Sequence, residues 1–189
     1  MRINDYVYEQ QQYLHSIPEP AFEEKNTATY IAEQLKGLGY EVTEHIAKTG
    51  VTGKLVGKKE HPCVAIRADM DCIIHELSNE TFYRHSCGHD AHCSIALGIA
   101  KLLKDKMEEL DGSIKFIFQP AEEIGAGAKA LVAEGVMDDV DYLIGYHLRT
   151  ASECPYGKMS PALMHSARCA ITGEVFGTTA HGGSSSFRD

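Results

Sequence analysis

The sequence predicts an α/β fold, built on a mixed, largely parallel β-sheet that is flanked by helices. Short apolar runs typical of strands alternate along the 189 residues with longer segments of helical periodicity. Such alternation favours parallel pairing, because a helix can carry the chain back between two strands of one sheet. Polar residues also follow three of the apolar runs directly, which is expected where parallel strands end at a ligand-binding edge.

The first part of the chain contains one predicted helix and three predicted strands. Apolar residues recur at helical spacing from Thr27 to Leu38, and Gly39 is well placed to end that helix. The segment 5–14 before it mixes polar and apolar residues and ends at a breaker with two prolines. The predicted strands are the apolar runs 40–46, 51–56 and 63–66.

The strongest helical pattern covers residues 91–110, where Ile95, Ile99 and Leu102 line one stripe. The remaining predicted elements are a strand over 114–118, a helix over 127–134, a strand over 142–146 and a strand over 170–176. No internal repeat or low-complexity tract interrupts this order, so the whole chain is interpreted as ordinary globular protein.

The composition excludes several classes of partner. The chain has 18 Lys and Arg against 27 Asp and Glu, a net charge of −9, which argues against binding nucleic acid or an anionic membrane. No run approaches the roughly 20 apolar residues of a membrane-spanning helix, and the polar N-terminus lacks a signal sequence, so a cytoplasmic location is predicted. The six cysteines have no paired spacing and are interpreted as buried thiols or metal ligands.

Three polar clusters follow predicted strands. Asp69 comes after the strand 63–66, Glu122 and Glu123 come after the strand 114–118, and His147 comes after the strand 142–146. Parallel strands would bring all of them to one edge of the sheet. Taken singly, Asp69 is also explained as a strand-end cap, and His147 as a core histidine with its hydrogen bonds satisfied.

The densest group of potential metal ligands is the segment 85–93, directly before the strongest predicted helix. Cys87 and His89 are two residues apart, so their side chains lie on the same side of an extended loop, and Gly88 lets the backbone bend closely. A thiolate and an imidazole both bind zinc. The alternative is a buried cysteine among surface histidines, and in either case Asp90 is expected to cap the helix or to support a ligand.

The adjacent glutamates can have two different roles at one site. Neighbouring residues of an extended chain point in opposite directions, so Glu122 and Glu123 need not have the same role. A catalytic metal needs carboxylate or similar ligands and a general base beside its bound water, and this pair can supply both. A solvated acidic pair is the commoner meaning of Glu-Glu, but here an apolar strand and Pro120 precede it and a glycine-rich loop follows.

Together, the thiol of Cys87, the imidazoles of His89 and His147 and the carboxylate of Glu123 form a ligand set of compatible softness. The sequence therefore predicts a metal site. Zinc suits the thiolate and imidazoles, and the mixed set also accepts manganese, cobalt or nickel.

Five motifs that span most of the chain resemble one enzyme family. They are His15-Ser-Ile-Pro18-Glu19 with Phe22-Glu23-Glu24, Arg67-Ala-Asp69-Met-Asp71, His85-Ser-Cys87-Gly-His89-Asp90-Ala-His92, Phe118-Gln-Pro-Ala-Glu122-Glu123 and Gly145-Tyr-His147. In residues and order they resemble the amidohydrolase branch of the carboxypeptidase-like metallopeptidases. This branch includes hippurate hydrolases, N-acyl-amino-acid amidohydrolases, N-acetyldiaminopimelate deacetylases and auxin-conjugate hydrolases.

The resemblance implies a function and a set of roles. Two divalent metal ions, zinc or manganese first, would be held by four ligands, namely Cys87, His89, Glu123 and His147. Glu122 would deprotonate the attacking water and later protonate the leaving amine, and Asp69 would orient the metal ligands. The implied substrate is a small N-acyl amino acid or a related amide.

The resemblance also implies how the chain is organised. Residues 1–168 would be the N-terminal part of a zinc-exopeptidase-like catalytic domain, and residues 169–189 would begin a smaller lid domain with its first strand. His181 in the lid segment would help to stabilise the oxyanion. Family members are far longer and often form homodimers through the lid, so the chain is expected to be an N-terminal fragment of such an enzyme.

Two other functions remain open at this point. The chain could be a catalytically inactive fragment that binds metal or oligomerises through its lid strand. It could also be a thiol hydrolase that uses Cys87 with a nearby histidine, although this leaves Glu122 and Glu123 without a purpose. Activity that resists a chelator would favour the thiol hydrolase.

Overall fold

The computed structural model describes residues 1–78, 80–161, 171–174 and 176, and it confirms the predicted α/β fold. The chain divides into two compact units, Met1–Arg149 and Thr150–Asp189. Every helix and strand of the described residues belongs to the first unit. The domain boundary expected after residue 168 stays a prediction.

The first unit contains four α-helices and seven strands. The helices are α1 (Ile3–His15), α2 (Lys25–Gly37), α3 (His89–Leu103), which a 3-10 turn (Lys104–Lys106) continues, and α4 (Gly127–Ala133). The strands are β1 (Glu41–Ile46), β2 (Gly50–Val56), β3 (Cys63–Asp69), β4 (Ile73–Leu77), β5 (Glu80–Arg84), β6 (Ser113–Gln119) and β7 (Tyr142–Gly145).

Five strands form one mixed sheet in the order β1-β2-β6-β3-β7, and β4 and β5 form a separate hairpin. β3 pairs in parallel with both β6 and β7, whereas β2 is antiparallel to β1 and β6. The carboxyl ends of β3, β6 and β7 therefore meet at one edge of the sheet, as the sequence predicts.

Both faces of the central strand β6 are buried. Phe116 and Phe118 belong to the core on one face, with residues of α1, α2 and α3, while Ile117 belongs to a smaller core with Leu131 of α4. This alternation follows from the two-residue period of a strand. The layers are close: a Cβ added to Gly98 of α3 would lie 2.5 Å from Val7 of α1. The sheet and the helices packed on it thus support the polar edge.

The structure adds two elements that the sequence pattern did not predict. The segment before the first predicted helix forms α1, which buries Tyr6, Gln10 and Leu14 in successive turns. The hairpin of β4 and β5 occupies residues between the motifs at 67–71 and 85–92, and most of its side chains are exposed. Its short strands lack the apolar alternation that marks a strand in a sequence.

Two predicted elements are corrected. The helix predicted over 91–110 begins at His89, directly after Gly88 with its positive φ of 85°, and it ends at Leu103. The strand predicted over 170–176 is not formed at residues 171–174 or at Phe176, and the other positions lie outside the described residues. A strand needs a partner for its backbone hydrogen bonds, and none of the described residues pairs with this segment.

The cysteine interpretation agrees with the structure where it can be compared. Cys63, Cys72, Cys87, Cys93 and Cys154 are all free thiols, and three of them are fully buried. In the described part of the chain, none of the helices has the length and apolar character needed to span a bilayer.

Candidate metal centre

The four predicted metal ligands come together at the carboxyl edge of the sheet. Ligand atoms of Cys87, His89 and Glu123 lie within 4.8 Å of one another, and His89 belongs with His147 to a second such group. The thiol of Cys87 joins the two groups, since its Sγ lies 3.4 Å from Nε2 of His147. We call these four residues the ligand cluster.

His89 is oriented by the end of β3 and the start of α3. Its ring is fully buried, and Nδ1 donates a hydrogen bond of 2.8 Å to the backbone carbonyl of Asp71. A carbonyl oxygen can only accept, so Nδ1 carries a proton and Nε2 faces the cluster. Nε2 lies 3.5 Å from Asp69, 3.9 Å from Glu122 and 3.7 Å from Glu123. Such support on the far nitrogen is typical of a metal-binding histidine.

His147 is presented in the same way. Its Nδ1 donates a 2.5 Å hydrogen bond to the carbonyl of Leu148, which leaves Nε2 directed at the Cys87 thiol. Gly88, between Cys87 and His89, packs against the segment that carries His147. A Cβ on Gly88 would come within 3.2 Å of the Leu148 side chain. The extended loop expected around Cys87 is therefore corrected: a left-handed glycine and the first helical residue bring Cys87 and His89 together.

The two glutamates lie in a tight turn after β6. Glu123 donates its backbone N–H to Asp71 at 3.0 Å, which ties the turn to the end of β3. The backbone N–H groups of Ala126 and Gly127 both donate to the carbonyl of Ala121. A Cβ on Gly127 would lie only 1.6 Å from the carbonyl oxygen of Pro120, so glycine is required there. Both carboxylates face the same histidine instead of pointing apart.

Asp69 forms a buried network with His92. Its Oδ1 accepts a 2.6 Å hydrogen bond from Nδ1 of His92, and Nε2 of His92 accepts the backbone N–H of Leu148 at 2.9 Å. Both ring nitrogens of His92 are therefore engaged in protein hydrogen bonds, although His92 and Asp69 belong with His89 and His147 to the group whose ligand atoms lie within 4.8 Å of one another. Through Leu148, the Asp69–His92 pair fixes the backbone next to His147. The other oxygen of Asp69 accepts the Arg67 guanidinium at 2.7 Å.

Several buried atoms of the site lack a protein partner. Within the described residues, five buried side-chain atoms make no hydrogen bond: Asp71 Oδ1, His89 Nε2, Glu123 Oε1 and the two ring nitrogens of His85. Such orphaned atoms cost free energy unless a ligand or water satisfies them. Two ligand atoms of a tetrahedral zinc ion lie about 3.3–3.8 Å apart, given bonds of roughly 2.0–2.3 Å. The 3.7 Å and 3.4 Å separations in the ligand cluster fit this requirement.

The charges of the site shift its pKa values in a consistent way. Burial alone would raise the pKa of Asp69, but the hydrogen bond with His92 and the charge of Arg67 hold it far below its usual value. Burial alone would lower the pKa of His89, but its contacts with Asp71 and Cys87 raise it to about 11. Burial raises the pKa of Glu123, while the charge of His89 opposes the shift. Negative charge thus surrounds one imidazole, an environment that also attracts a divalent cation.

Three supporting residues escaped the sequence analysis or received no role there. Asp71 touches both His89 and Glu123, and its spacing of two from Asp69 was a usable signal, since such residues share one side of an extended chain. His92 lies three residues after His89, a helical spacing that predicts a shared face. Glu24, which accepts the backbone N–H of Ala121, had no comparable spacing signal. The predicted oxyanion residue His181 lies outside the described residues.

Comparisons with known proteins identify the family of this chain. The sequence profile of Peptidase family M20/M25/M40 matches residues 65–175. An IAA-amino acid hydrolase of Arabidopsis thaliana is 43% identical over 142 residues, which are 71% of this chain and 32% of that protein. N-acetyl-L-cysteine deacetylase of Bacillus subtilis is 39% identical over 142 residues, 71% of this chain and 34% of that protein.

A similar solved structure is that of a dinuclear metal-binding peptidase of the M20 family from Bacillus subtilis. It superposes with a TM-score of 0.72 at 35% identity, over 78% of this chain and 43% of that chain. The relatives are longer throughout: a thermostable carboxypeptidase of Saccharolobus solfataricus that is 39% identical covers 79% of this chain, yet only 40% of its own length is matched. This chain therefore spans well under half of the relatives that it matches.

Proposed function

The chain belongs to peptidase family M20/M25/M40, and we propose that it carries the metal site of an amidohydrolase that cleaves N-acyl amino acids or related small amides. The observation that carries the proposal is the convergence of a thiol, two imidazoles and a carboxylate from three separate segments, with a second carboxylate beside them. The names of the relatives support the substrate class.

In this proposal, Cys87, His89, Glu123 and His147 hold two divalent ions, with zinc or manganese as the first candidates. Ions held there would polarise the amide carbonyl and lower the pKa of the attacking water. Glu122 would accept the proton of the attacking water and return it to the leaving amine. Its Oε2 lies 3.9 Å from the ligand nitrogen of His89, and its side chain keeps 40% exposure, so it can reach both the ions and a substrate.

Asp69 acts indirectly. It faces Nε2 of His89 at 3.5 Å and holds His92, which in turn fixes the backbone beside His147. Asp69 therefore faces one ligand and, through His92, positions the backbone beside the other. The resemblance alone supports a further part of the proposal: residues 169–189 belong to a lid domain whose His181 stabilises the oxyanion, with a homodimer formed through that lid.

The adjacent glutamates provide a matched test. Protein loaded with zinc, manganese or cobalt is assayed for release of free amino acid from N-acetyl-L-cysteine and other N-acyl amino acids. Glu122→Gln is expected to lower kcat about 10²–10⁴-fold at unchanged metal content, which is the usual contribution of a general base. Glu123→Gln is expected to lower the metal content itself, as elemental analysis after dialysis would show. Full turnover in Glu122→Gln would contradict the role of Glu122.

The close approach of Cys87 and His147 favours a second candidate, a thiol hydrolase. A thiol 3.4 Å from an imidazole nitrogen is the arrangement of an activated nucleophile. Chelation distinguishes the two functions: the metal-dependent activity is lost in excess chelator and returns with added metal, whereas a thiol hydrolase keeps its activity and is inactivated by alkylation. Metal binding without turnover would instead favour an inactive metal-binding protein.

A further inference from the structure

A buried glutamate outside the ligand cluster contacts the turn that carries Glu122 and Glu123. Glu24 is the residue directly before α2, and its side chain is fully buried. One carboxylate oxygen accepts the backbone N–H of Ala121 at 2.8 Å, and the other accepts the hydroxyl of Thr49 at 2.5 Å. Glu24 and Ala121 are 97 positions apart in the chain, so this contact joins two distant segments.

Ala121 needs such a partner because its backbone is strained. Its φ is +50°, a left-handed conformation that costs a residue with a Cβ roughly 1–2 kcal/mol, and its side chain is fully buried. The hydrogen bond to Glu24 stabilises this conformation. Since Glu122 and Glu123 follow at once, the direction of the backbone at Ala121 determines where both carboxylates point.

A carboxylate is an expensive choice for a purely structural contact. Burial raises the pKa of Glu24, which means that the charged form is disfavoured there, although the hydrogen bonds from Thr49 and Ala121 oppose the shift. An apolar side chain would avoid this cost. What an apolar side chain cannot do is accept the N–H of Ala121 and anchor that acceptor to Thr49.

We propose that Glu24 is a positioning residue for the ligand Glu123 and the base Glu122, acting through the backbone of Ala121. This inference rests on the proposed metal site. It predicts that loss of Glu24 weakens metal binding by the folded protein, over and above any loss of stability. A residue that only stabilised the fold would lower the melting temperature and leave the metal affinity of the folded protein unchanged.

The test measures zinc affinity by competition with a chelator dye, at a temperature where circular dichroism shows each variant to be folded. Glu24→Ala is expected to weaken binding about 10-fold or more, the usual effect of losing a group that supports a metal ligand. Glu24→Gln keeps an acceptor for Ala121 and a partner for Thr49, and is expected to restore affinity to within about 3-fold. Tyr40→Phe is the control, because it removes a buried hydrogen bond to Ala100 that is remote from the turn.

Each result decides a different point. If the unaltered protein binds no zinc, the proposed metal site fails, and the positioning role of Glu24 falls with it. If Glu24→Ala is folded and binds zinc as tightly as Tyr40→Phe does, the positioning role is overturned. If Glu24→Ala does not fold, Thr49→Val takes its place, since it removes only the anchor of the carboxylate. Unchanged zinc affinity in folded Thr49→Val would then overturn the proposal, and weaker binding would support it.

Discussion

Two clusters of charged side chains lie on this sheet, and they differ in how their polar atoms are partnered. In the first, which we call the lysine cluster, Lys54 of β2 and Lys115 of β6 are register partners. Like charges in that position repel, and Asp139 lies between them, accepting from Lys115 at 2.6 Å and from Lys54 at 3.0 Å. Lys54 also donates to Glu60, and Lys115 to the carbonyl of Val136. Each ammonium thus has two acceptors.

The ligand cluster is also polar and contains the fully buried His89, yet its hydrogen bonding is incomplete. Nε2 of His89, one oxygen of Glu123 and one oxygen of Asp71 are buried without a hydrogen-bond partner. Charge alone therefore does not identify a functional site. A cluster whose polar atoms all hydrogen-bond to one another needs no ligand. A cluster that leaves buried polar atoms without a partner needs a ligand to satisfy them.

The largest expected effect is a loss of zinc affinity when a residue of the ligand cluster is replaced. His89→Asn should reduce the affinity for zinc by more than about 100-fold, because loss of a ligand exceeds the 10–100-fold cost of losing a supporting group. His45→Asn is the matched control, since His45 is an exposed histidine of β1 with a positive φ that asparagine tolerates. Equilibrium dialysis with elemental analysis gives both values. Equal zinc content in the two variants would remove His89 from the site.

The sequence could predict the parts of this site that local patterns determine. Apolar runs identified β3, β6 and β7, and their common direction placed Asp69, Glu123 and His147 at one edge. The ligand types and the C-x-H spacing then identified Cys87 and His89. These signals are local, because strand period, ligand chemistry and turn residues are each visible within a few positions.

The rest depends on contacts between distant segments. No pattern near Glu24 indicates that its carboxylate meets Ala121, and Asp71 contacts Glu123 only because β3 and β6 pair in one particular register. The helix α1 was missed for a related reason: its buried face includes the polar Gln10, which accepts from Tyr30 of α2. A polar residue can be buried when a hydrogen-bond partner meets it, and that partner often lies far from it in the sequence.

A smaller effect is expected in the lysine cluster. Asp139→Asn should lower the free energy of unfolding by about 1 kcal/mol, at the low end for charged hydrogen bonds because water screens a side chain that is 35% exposed. The lysines hold the pKa of Asp139 below its ordinary value despite the opposing effect of burial. Its contribution is therefore fully present above the unfolded-state pKa of about 3.9 and is lost as the pH falls through the lower folded-state pKa.

Urea denaturation in chelator, at pH 7 and at successively lower pH, measures this contribution. The difference between Asp139→Asn and the unaltered protein should be largest at pH 7 and should shrink as the pH falls below about 4. Asp138→Asn, the exposed neighbour, should show little difference at any pH. Zinc affinity should stay unchanged in both variants. A difference that grows toward acid pH would mean that Asp139 is not stabilised by the two lysines.

The smallest effect has the opposite sign and gives the sharpest contrast. In chelator at pH 7, Glu123→Gln should leave stability unchanged or raise it by up to about 1 kcal/mol, although the same class of substitution at Asp139 destabilises. The reason is the raised pKa of Glu123: its surroundings, chiefly burial, disfavour the charged carboxylate, so an uncharged amide removes a cost. Glu122→Gln, at the more exposed neighbour (40% against 27%), should change stability less. With zinc added, the unaltered protein should be more stable than Glu123→Gln, because a protein that keeps all four ligands gains stability from binding the ion. Should metal-free Glu123→Gln prove as unstable as Asp139→Asn, the two clusters would not differ in the way that their hydrogen bonds indicate.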